Sequence, residues 1–311
     1  MDNWFIEPSF FKGRSFWLRN TFAAKRVATA SPDRLEPAAM AYIDQAIREQ
    51  TIVIPIKDQH QYASPLTKVI KISNLKRLIG KITDKYIHRR RQEFGHVWTY
   101  VSKHLEMIVA AQRLRKSYTL LAGLGSFVYY PLHVPGDMAL TLRSPAYLDQ
   151  LALIETIARQ LPRGYALAIK EHPAMIGALG ATALINLLKR NQNVALINPG
   201  VNNYEVMAAC AAMLSVNSKS GAEGILLGKP VIVLGDAFYR GSGLTLDLVA
   251  AGEIKAALSE AFDRTAVIDA DARSGFFSAV WRESHAGELY VSTPDNLARF
   301  TDAMQVIAGD F

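Results

Sequence analysis

Short runs of uninterrupted apolar residues fill the second half of the chain, and between them apolar positions recur at helical spacing. The pattern predicts strands over 127–132, 166–170, 194–197, 213–216 and 230–234, with helices over 146–160, 181–190, 204–211 and 221–227. Strands that are apolar throughout, instead of alternating with polar residues, belong to a sheet covered on both faces. Alternation of such strands with helices predicts a parallel, doubly wound α/β sheet. The first half has a different texture: an amphipathic helix over 37–50, a short strand over 52–56 and a helix over 94–116. Pro55 would confine that strand to an edge. The glycines of Leu121-Ala-Gly-Leu-Gly125 interrupt a helical pattern just before the first strong strand. Two domains are therefore expected, an amino-terminal acceptor-side region over 1–124 and a carboxy-terminal domain over 125–311.

Composition narrows the class. Half of the 311 residues are hydrophobic and 20% are charged, as in a globular protein able to bury one large or two modest cores. The lone Cys210 lies in an apolar stretch and reads as core filling, which suits a cytoplasmic protein. No run of eighteen apolar residues suggests a membrane span, and Asp2, Glu7, Lys12 and Arg14 break up any signal-like segment at the start. The formal net charge is +7, and much of the excess precedes residue 120, in Lys76-Arg77, Lys81, Lys85, His88-Arg-Arg-Arg91, Arg113, Arg115 and Lys116. Such a field suits an anionic neighbour, or it is a solvated helix face. The aromatic residues Trp4, Phe5, Phe10, Phe11, Phe16, Trp17 and Phe22 interleave with basic ones. They fit a membrane surface or, more simply, packing beneath a neighbouring domain.

In doubly wound sheets ligands bind outside the carboxyl ends of the strands, so chemistry is sought in the residues that follow each strand. After 166–170 comes Glu171-His172-Pro173, which sets an imidazole at the crevice, able to donate to a phosphate oxygen or to be satisfied by a loop carbonyl. After 213–216 comes Asn217-Ser-Lys-Ser-Gly-Ala-Glu-Gly224, where two hydroxyls and a glycine meet the first turn of a helix. Ser218 or Ser220 can cap that helix, and the same groups can hold a phosphate that also interacts favourably with the helix dipole. Glu223 is placed to accept hydrogen bonds from a ribose, with a surface salt bridge as the plainer alternative. The glycine-bounded loop 235–243 carries Tyr239 and Arg240, candidates for the sugar, and the first strand leads to His133 and Asp137 at the same sheet edge. No G-x-G-x-x-G, no G-x-x-x-x-G-K-[ST], no His-Glu-x-x-His and no Cys-x-x-Cys occurs. Neither a cofactor nor a metal is expected.

Five motifs in order carry a resemblance: Tyr-Tyr-Pro-Leu-His at 129–133, Lys-Glu-His-Pro at 170–173, Asn-Ser-Lys-Ser-Gly-Ala-Glu at 217–223, Gly-Lys-Pro-Val at 228–231 and Gly-Asp-Ala-Phe-Tyr at 235–239. Together they resemble the capsule polysaccharide biosynthesis family, which includes bacterial β-Kdo transferases. The resemblance implies a GT-B-like fold, with a Rossmann-like doubly wound sheet in the carboxy-terminal domain and a short or truncated, mainly helical amino-terminal domain. It also implies a glycosyltransferase that moves an acidic, Kdo-like sugar from a CMP-activated donor to a lipid-linked or growing glycan. His172 would be catalytic and, with Ser218, Ser220 and Gly221, would hold the donor phosphate. His133, Glu171, Asn217, Glu223 and Tyr239 would lie against the nucleotide or sugar. The family's usual Asp-Gly carboxylate has no counterpart, since no Asp-Gly pair occurs in the chain, and Asp58 is the candidate base that sequence position offers. Peripheral association with the inner membrane and a capsule assembly complex is expected, and nucleic acid is not. The alternatives are a UDP-sugar 2-epimerase or UDP-dependent transferase, and a non-catalytic assembly or export module.

Overall fold

A computed structural model describes residues 2–31, 34–50, 72–89, 97–173, 175–263 and 269–309. The strand expected over 52–56 and the candidate base Asp58 lie outside the described residues. In chain order the first half forms β1 (Trp4–Pro8), β2 (Arg14–Arg19), α1 (Pro37–Glu49), α2 (Ile72–Tyr86), α3 (Val97–Leu114) and β3 (Tyr118–Thr119). Next come β4 (Phe127–Pro131), α4 (Met138–Thr141), α5 (Gln150–Gln160), β5 (Ala166–Lys170), α6 (Ala181–Arg190), β6 (Val194–Ile197) and α7 (Asn203–Ala209). The chain continues through β7 (Ala212–Ser215), α8 (Lys219–Leu226), β8 (Val231–Val233), β9 (Leu246–Asp247), α9 (Ile254–Asp263), α10 (Ala270–Arg282), β10 (His285–Ala286) and α11 (Pro294–Gly309).

Seven strands form one sheet in the order β3-β6-β5-β4-β7-β8-β9, and every pairing in it is parallel. The doubly wound α/β sheet expected from the apolar runs is thus observed. From β4 the chain steps outward to β5 and β6, then returns past β4 to add β7 and β8 on its other side. A right-handed crossover that reverses its direction along the sheet must change face. Accordingly α5 and α6 pack on one face with α9, and α7 and α8 on the other. Alternate strand residues serve the two cores. Val128, Tyr130, Leu167 and Ile169 face the first cluster, whereas Phe127, Tyr129 and Ala168 face the second. Pairing is uneven across the reversal: β4 meets β5 over five residue pairs from Phe127↔Ala166 to Pro131↔Lys170 but meets β7 at two, Val128↔Ala212 and Tyr129↔Met213.

The aromatic run near the start is a β-hairpin. β1 and β2 pair antiparallel from Trp4↔Arg19 to Pro8↔Ser15, and β10 adds to β2 at His285↔Ser15. Phe10, Phe11 and Phe16 are buried in the second core, where Phe10 lies 4.9 Å from the Phe277 ring and Phe11 4.9 Å from that of Trp281. Burial of each such ring contributes about 1.5–3 kcal/mol, so packing, the plainer of the two sequence readings, accounts for Phe10, Phe11, Phe16 and Trp17, whereas Trp4 and Phe22 are exposed. Residues on both sides of position 125 share each sheet, since β3 joins β6 and β10 joins β2.

Candidate functional site

Strand order reverses at β4, so the crevice position at which doubly wound sheets bind ligands lies between the loops that follow β4 and β7. Because β5, β4 and β7 are adjacent and parallel, His172, His133 and Ser218 all stand at one end of the sheet. His172 follows β5, two strands from β7, a separation of about 10 Å at strand level. His133 follows β4, the strand paired with β5, so the two histidines follow adjacent strands.

On the β7 side, Ser218 caps α8: its hydroxyl accepts from the Ser220 N–H at 3.2 Å. The turn is braced from beneath. The Tyr239 hydroxyl donates to the Ser218 carbonyl at 2.7 Å and lies 2.8 Å from Ser215 Oγ. A carbonyl can only accept, so the tyrosine proton is committed to it and Ser215 must donate to the phenolic oxygen. Ser215 Oγ in turn accepts from the Ser218 N–H at 3.1 Å, which closes the network with every proton assigned. Tyr239 is fully buried, and burial pushes its phenol far above the ordinary range. The structure therefore sets Tyr239 beneath the serine turn, not on the outer face of its loop where a sugar contact was expected. Gly221 is what admits it, since a Cβ at that position would lie 2.2 Å from the Tyr239 hydroxyl. The Gly221 N–H is directed to the Ser218 carbonyl at 3.0 Å, an inward commitment that sequence position does not reveal.

Asn217 is likewise drawn into the protein. Its Nδ2 donates to the Ala139 carbonyl and, at 3.0 Å, to Ser144 Oγ, joining the β7 turn to α4 across the crevice floor. Lys219 donates to the Ser9 carbonyl, and Arg143 pairs with Glu7, so the amino-terminal hairpin is tied to both lips of the crevice. Asp236 extends this seam through Arg26 at 2.6 Å and the Ala24 N–H at 2.8 Å.

On the β4 side, the Gln150 carboxamide clamps the His133 backbone, accepting its N–H at 2.7 Å and donating to its carbonyl at 3.1 Å. Burial lowers the His133 pKa to about 4, against the opposing pull of Asp137, whose side chain caps α4. The ring is thus neutral at neutral pH, and its Nε2 is buried without a hydrogen-bond partner among the described residues. Glu171, expected at the nucleotide, is buried and turned to the protein body. Its Oε1 accepts from the Gly177 N–H at 2.9 Å, and burial raises its pKa to about 7. It holds the loop carrying His172, which is itself half-buried. Arg240 donates to the carbonyls of Val233, Gly235 and Leu248, beside a cavity of about 340 Å3 shared with Arg26 and Asp247.

Glu223 is buried, which removes the surface salt bridge as its explanation. It faces a polar group that sequence reading missed. Lys170, buried at the end of β5, donates to the Val201 carbonyl at 2.6 Å and to Asn203 Oδ1, which also accepts from the Tyr129 hydroxyl at 3.3 Å. Burial lowers the Lys170 pKa to about 8, and Glu223 counters part of that shift. The available signal was a lysine closing an otherwise apolar strand. Ser215, a hydroxyl near the end of another, gave the same kind of signal. Among the described residues no group of three His, Cys, Asp or Glu side chains could hold a metal ion.

All-parallel pairing, a strand-order reversal at β4, two histidines after adjacent strands and a serine-capped helix after β7 define a doubly wound α/β protein. The chain belongs to the capsule polysaccharide biosynthesis protein family, which it matches over residues 36–276. Protein FixF of Sinorhizobium fredii (strain NBRC 101917 / NGR234) is 28% identical over 206 residues, 65% of this chain and 49% of that protein. Among solved structures, the KpsC β-Kdo 2,7 transferase of Thermosulfurimonas dismutans is similar at 18% identity and a TM-score of 0.38, over 69% of this chain and 59% of that one. Anabaena HepE in complex with UDP-glucose is similar at 16% identity and a TM-score of 0.38, over 57% and 48% of the two chains. The UDP-GlcNAc 2-epimerase of Neisseria meningitidis is similar at 18% identity and a TM-score of 0.35, over 66% and 50%. The chain spans roughly half the length of these relatives.

Proposed function

We propose that this chain is the donor-binding part of a glycosyltransferase of capsule or surface polysaccharide biosynthesis, moving an acidic, Kdo-like sugar from CMP to a lipid-linked or growing glycan. The observation that carries the reading is the single sheet end, at the strand-order reversal, shared by His172, His133 and the Ser218 turn in a chain of the capsule family. In the reaction the acceptor oxygen forms a bond to the anomeric carbon as the bond from that carbon to the phosphate oxygen breaks. CMP leaves, and the acceptor proton passes to a base. His172, with the hydroxyls of Ser218 and Ser220 and the Gly221 turn, stabilises the charge that grows on the departing phosphate. His133 and Glu223 border the nucleoside and sugar. Glu171, Asn217 and Tyr239 act by fixing the loops that present these groups. The general base is unassigned. No described helix is long and apolar enough to cross a membrane, and the reading places the protein at the cytoplasmic face of the inner membrane with its nucleotide-sugar donor and glycan acceptor.

His172→Ala removes a phosphate donor without touching the cores, so transfer should fall by about 10²-fold with an unchanged circular dichroism spectrum. Retained transfer would remove His172 from the mechanism. Calorimetric titration with CMP, CMP-Kdo, UDP and UDP-GlcNAc tests the donor: cytidine ligands should bind more tightly, and preference for the uridine ligands would transfer the reading to a UDP-sugar epimerase or transferase. A second reading, a non-catalytic assembly module, is favoured by the inward commitments of Gly221, Asn217 and Tyr239 and by the missing Asp-Gly pair. Donor binding without turnover in the presence of acceptor would select it.

A further inference from the structure

Surface helices of globular proteins turn their apolar stripe inward and their charges to water. α2 departs from this, leaving apolar side chains exposed alongside its charged ones. Ile79, Ile82 and Tyr86 fall on one stripe at helical spacing and all three are exposed, Ile79 at 55%. α3, which packs against α2, repeats the feature through Trp98, Leu105 and Val109, seven and four residues apart, with Trp98 65% exposed. Two neighbouring helices thus turn apolar and aromatic side chains to solvent. Positive charge surrounds them: from residue 72 to 89 the sequence has five Lys or Arg and one acidic residue, Asp84. The Lys85 ammonium lies 5.3 Å over the Tyr86 ring, and His88 and Arg89 are exposed just beyond the helix.

We propose that the outward faces of α2 and α3 dock the protein on an anionic lipid bilayer. The pattern is that of a helix lying in the membrane interface, its apolar side chains among the acyl chains, its Trp and Tyr at headgroup level and its lysines reaching the phosphates. A second copy of this chain fits less well, because a two-fold contact would bring the lysine flanks of two α2 helices together, whereas anionic headgroups neutralise them. The inference rests on the proposed function in one respect only: a lipid-linked acceptor gives the docking a purpose.

The test is sedimentation of the full chain, without nucleotide, with vesicles of phosphatidylcholine and phosphatidylglycerol in equal amounts and with vesicles of phosphatidylcholine alone. Partition should be about tenfold or more stronger onto the anionic vesicles and should weaken as salt is raised. The variant Ile79→Glu/Ile82→Glu should lose it while keeping the wild-type circular dichroism spectrum, since both positions are exposed. Vesicles should shift tryptophan emission to the blue in the wild type and not in Trp98→Phe, a readout that survives if the double variant folds poorly. Equal partition of wild type and double variant, or an emission shift unaffected by Trp98→Phe, overturns the proposal. So does a self-associating chain that the double variant renders monomeric and that ignores vesicles. Vesicle binding without donor binding in the separate titration would retire the proposed reaction and leave the docking face standing; the converse would do the opposite.

Discussion

Gly221 and Tyr239 act as one unit, because the missing side chain of the first is the space that the phenol of the second occupies. Gly221→Ala should force the ring aside and cost about 1–3 kcal/mol as an overpacked core change. Tyr239→Phe should cost about 1–3 kcal/mol by leaving the buried Ser215 hydroxyl without its acceptor. Urea denaturation of both single variants and the double should give a sum larger than the double, since each disrupts the same network; strict additivity would show that the two residues are independent. His133 carries a pH signature. With its pKa held near 4 by burial, the folded chain binds fewer protons than the unfolded one between that value and 6.5. Stability contributed by this site is complete above 6.5 and falls with pH through the window, by at most about 1.4 kcal/mol per pH unit. Glu171 works in the opposite sense: its pKa is raised to about 7, so the folded chain binds more protons and loses stability as pH rises from 4.5. Its slope masks that of His133 in the wild type. Denaturation of His133→Phe and wild type at a series of pH values should expose the difference, with the wild type losing more stability on acidification.

At the scale of elements, the inner strands were legible because they are apolar on both faces, and β5, β6 and α6 coincide with their expected bounds. The ends of β7 and β8 shift by a residue because pairing, not hydrophobicity, sets where a strand stops. β3 and β9, two residues each, carry too little pattern to be read. The β1–β2 hairpin was hidden for a different reason. Residues 15–18 of β2 are buried on both faces, so no alternation marks them, and the third strand of their sheet joins Ser15 and Arg14 from some 270 residues away, at His285 and Ala286. Phe11→Ala tests whether the hairpin belongs to the core of the sheet. Loss of a fully packed ring should cost about 3–5 kcal/mol in urea denaturation of the whole chain, and a cost below 1 kcal/mol would mark the hairpin as an appendage.

At the scale of the molecule, the location of the candidate site was legible and its inner wiring was not. His172 and Ser218 stand at the sheet end that strand order predicts. Glu171, Asn217 and Tyr239 were expected to face a ligand, yet Gly177, Ala139 and Ser218 engage Oε1 of the first, Nδ2 of the second and the hydroxyl of the third. Those partners lie up to 78 residues away in sequence, so local reading cannot find them. The same holds for the pair of Glu7 and Arg143, which joins the hairpin to the crevice lip and has both side chains nearly buried. Glu7→Gln leaves the guanidinium without its counter-charge and should cost about 3–5 kcal/mol, read by denaturation at neutral pH.

The short two-pair contact between β4 and β7 lies directly beneath the crevice. The sheet is therefore two wings sewn together with few stitches at the place where an anion held by both His172 and Ser218 would act as a clasp. Occupancy should be felt in the fabric itself: amide hydrogen exchange at Ala211, whose N–H donates to the Phe127 carbonyl of β4 at 2.9 Å, should slow when nucleotide is bound, while exchange across the five-pair β4–β5 contact changes little.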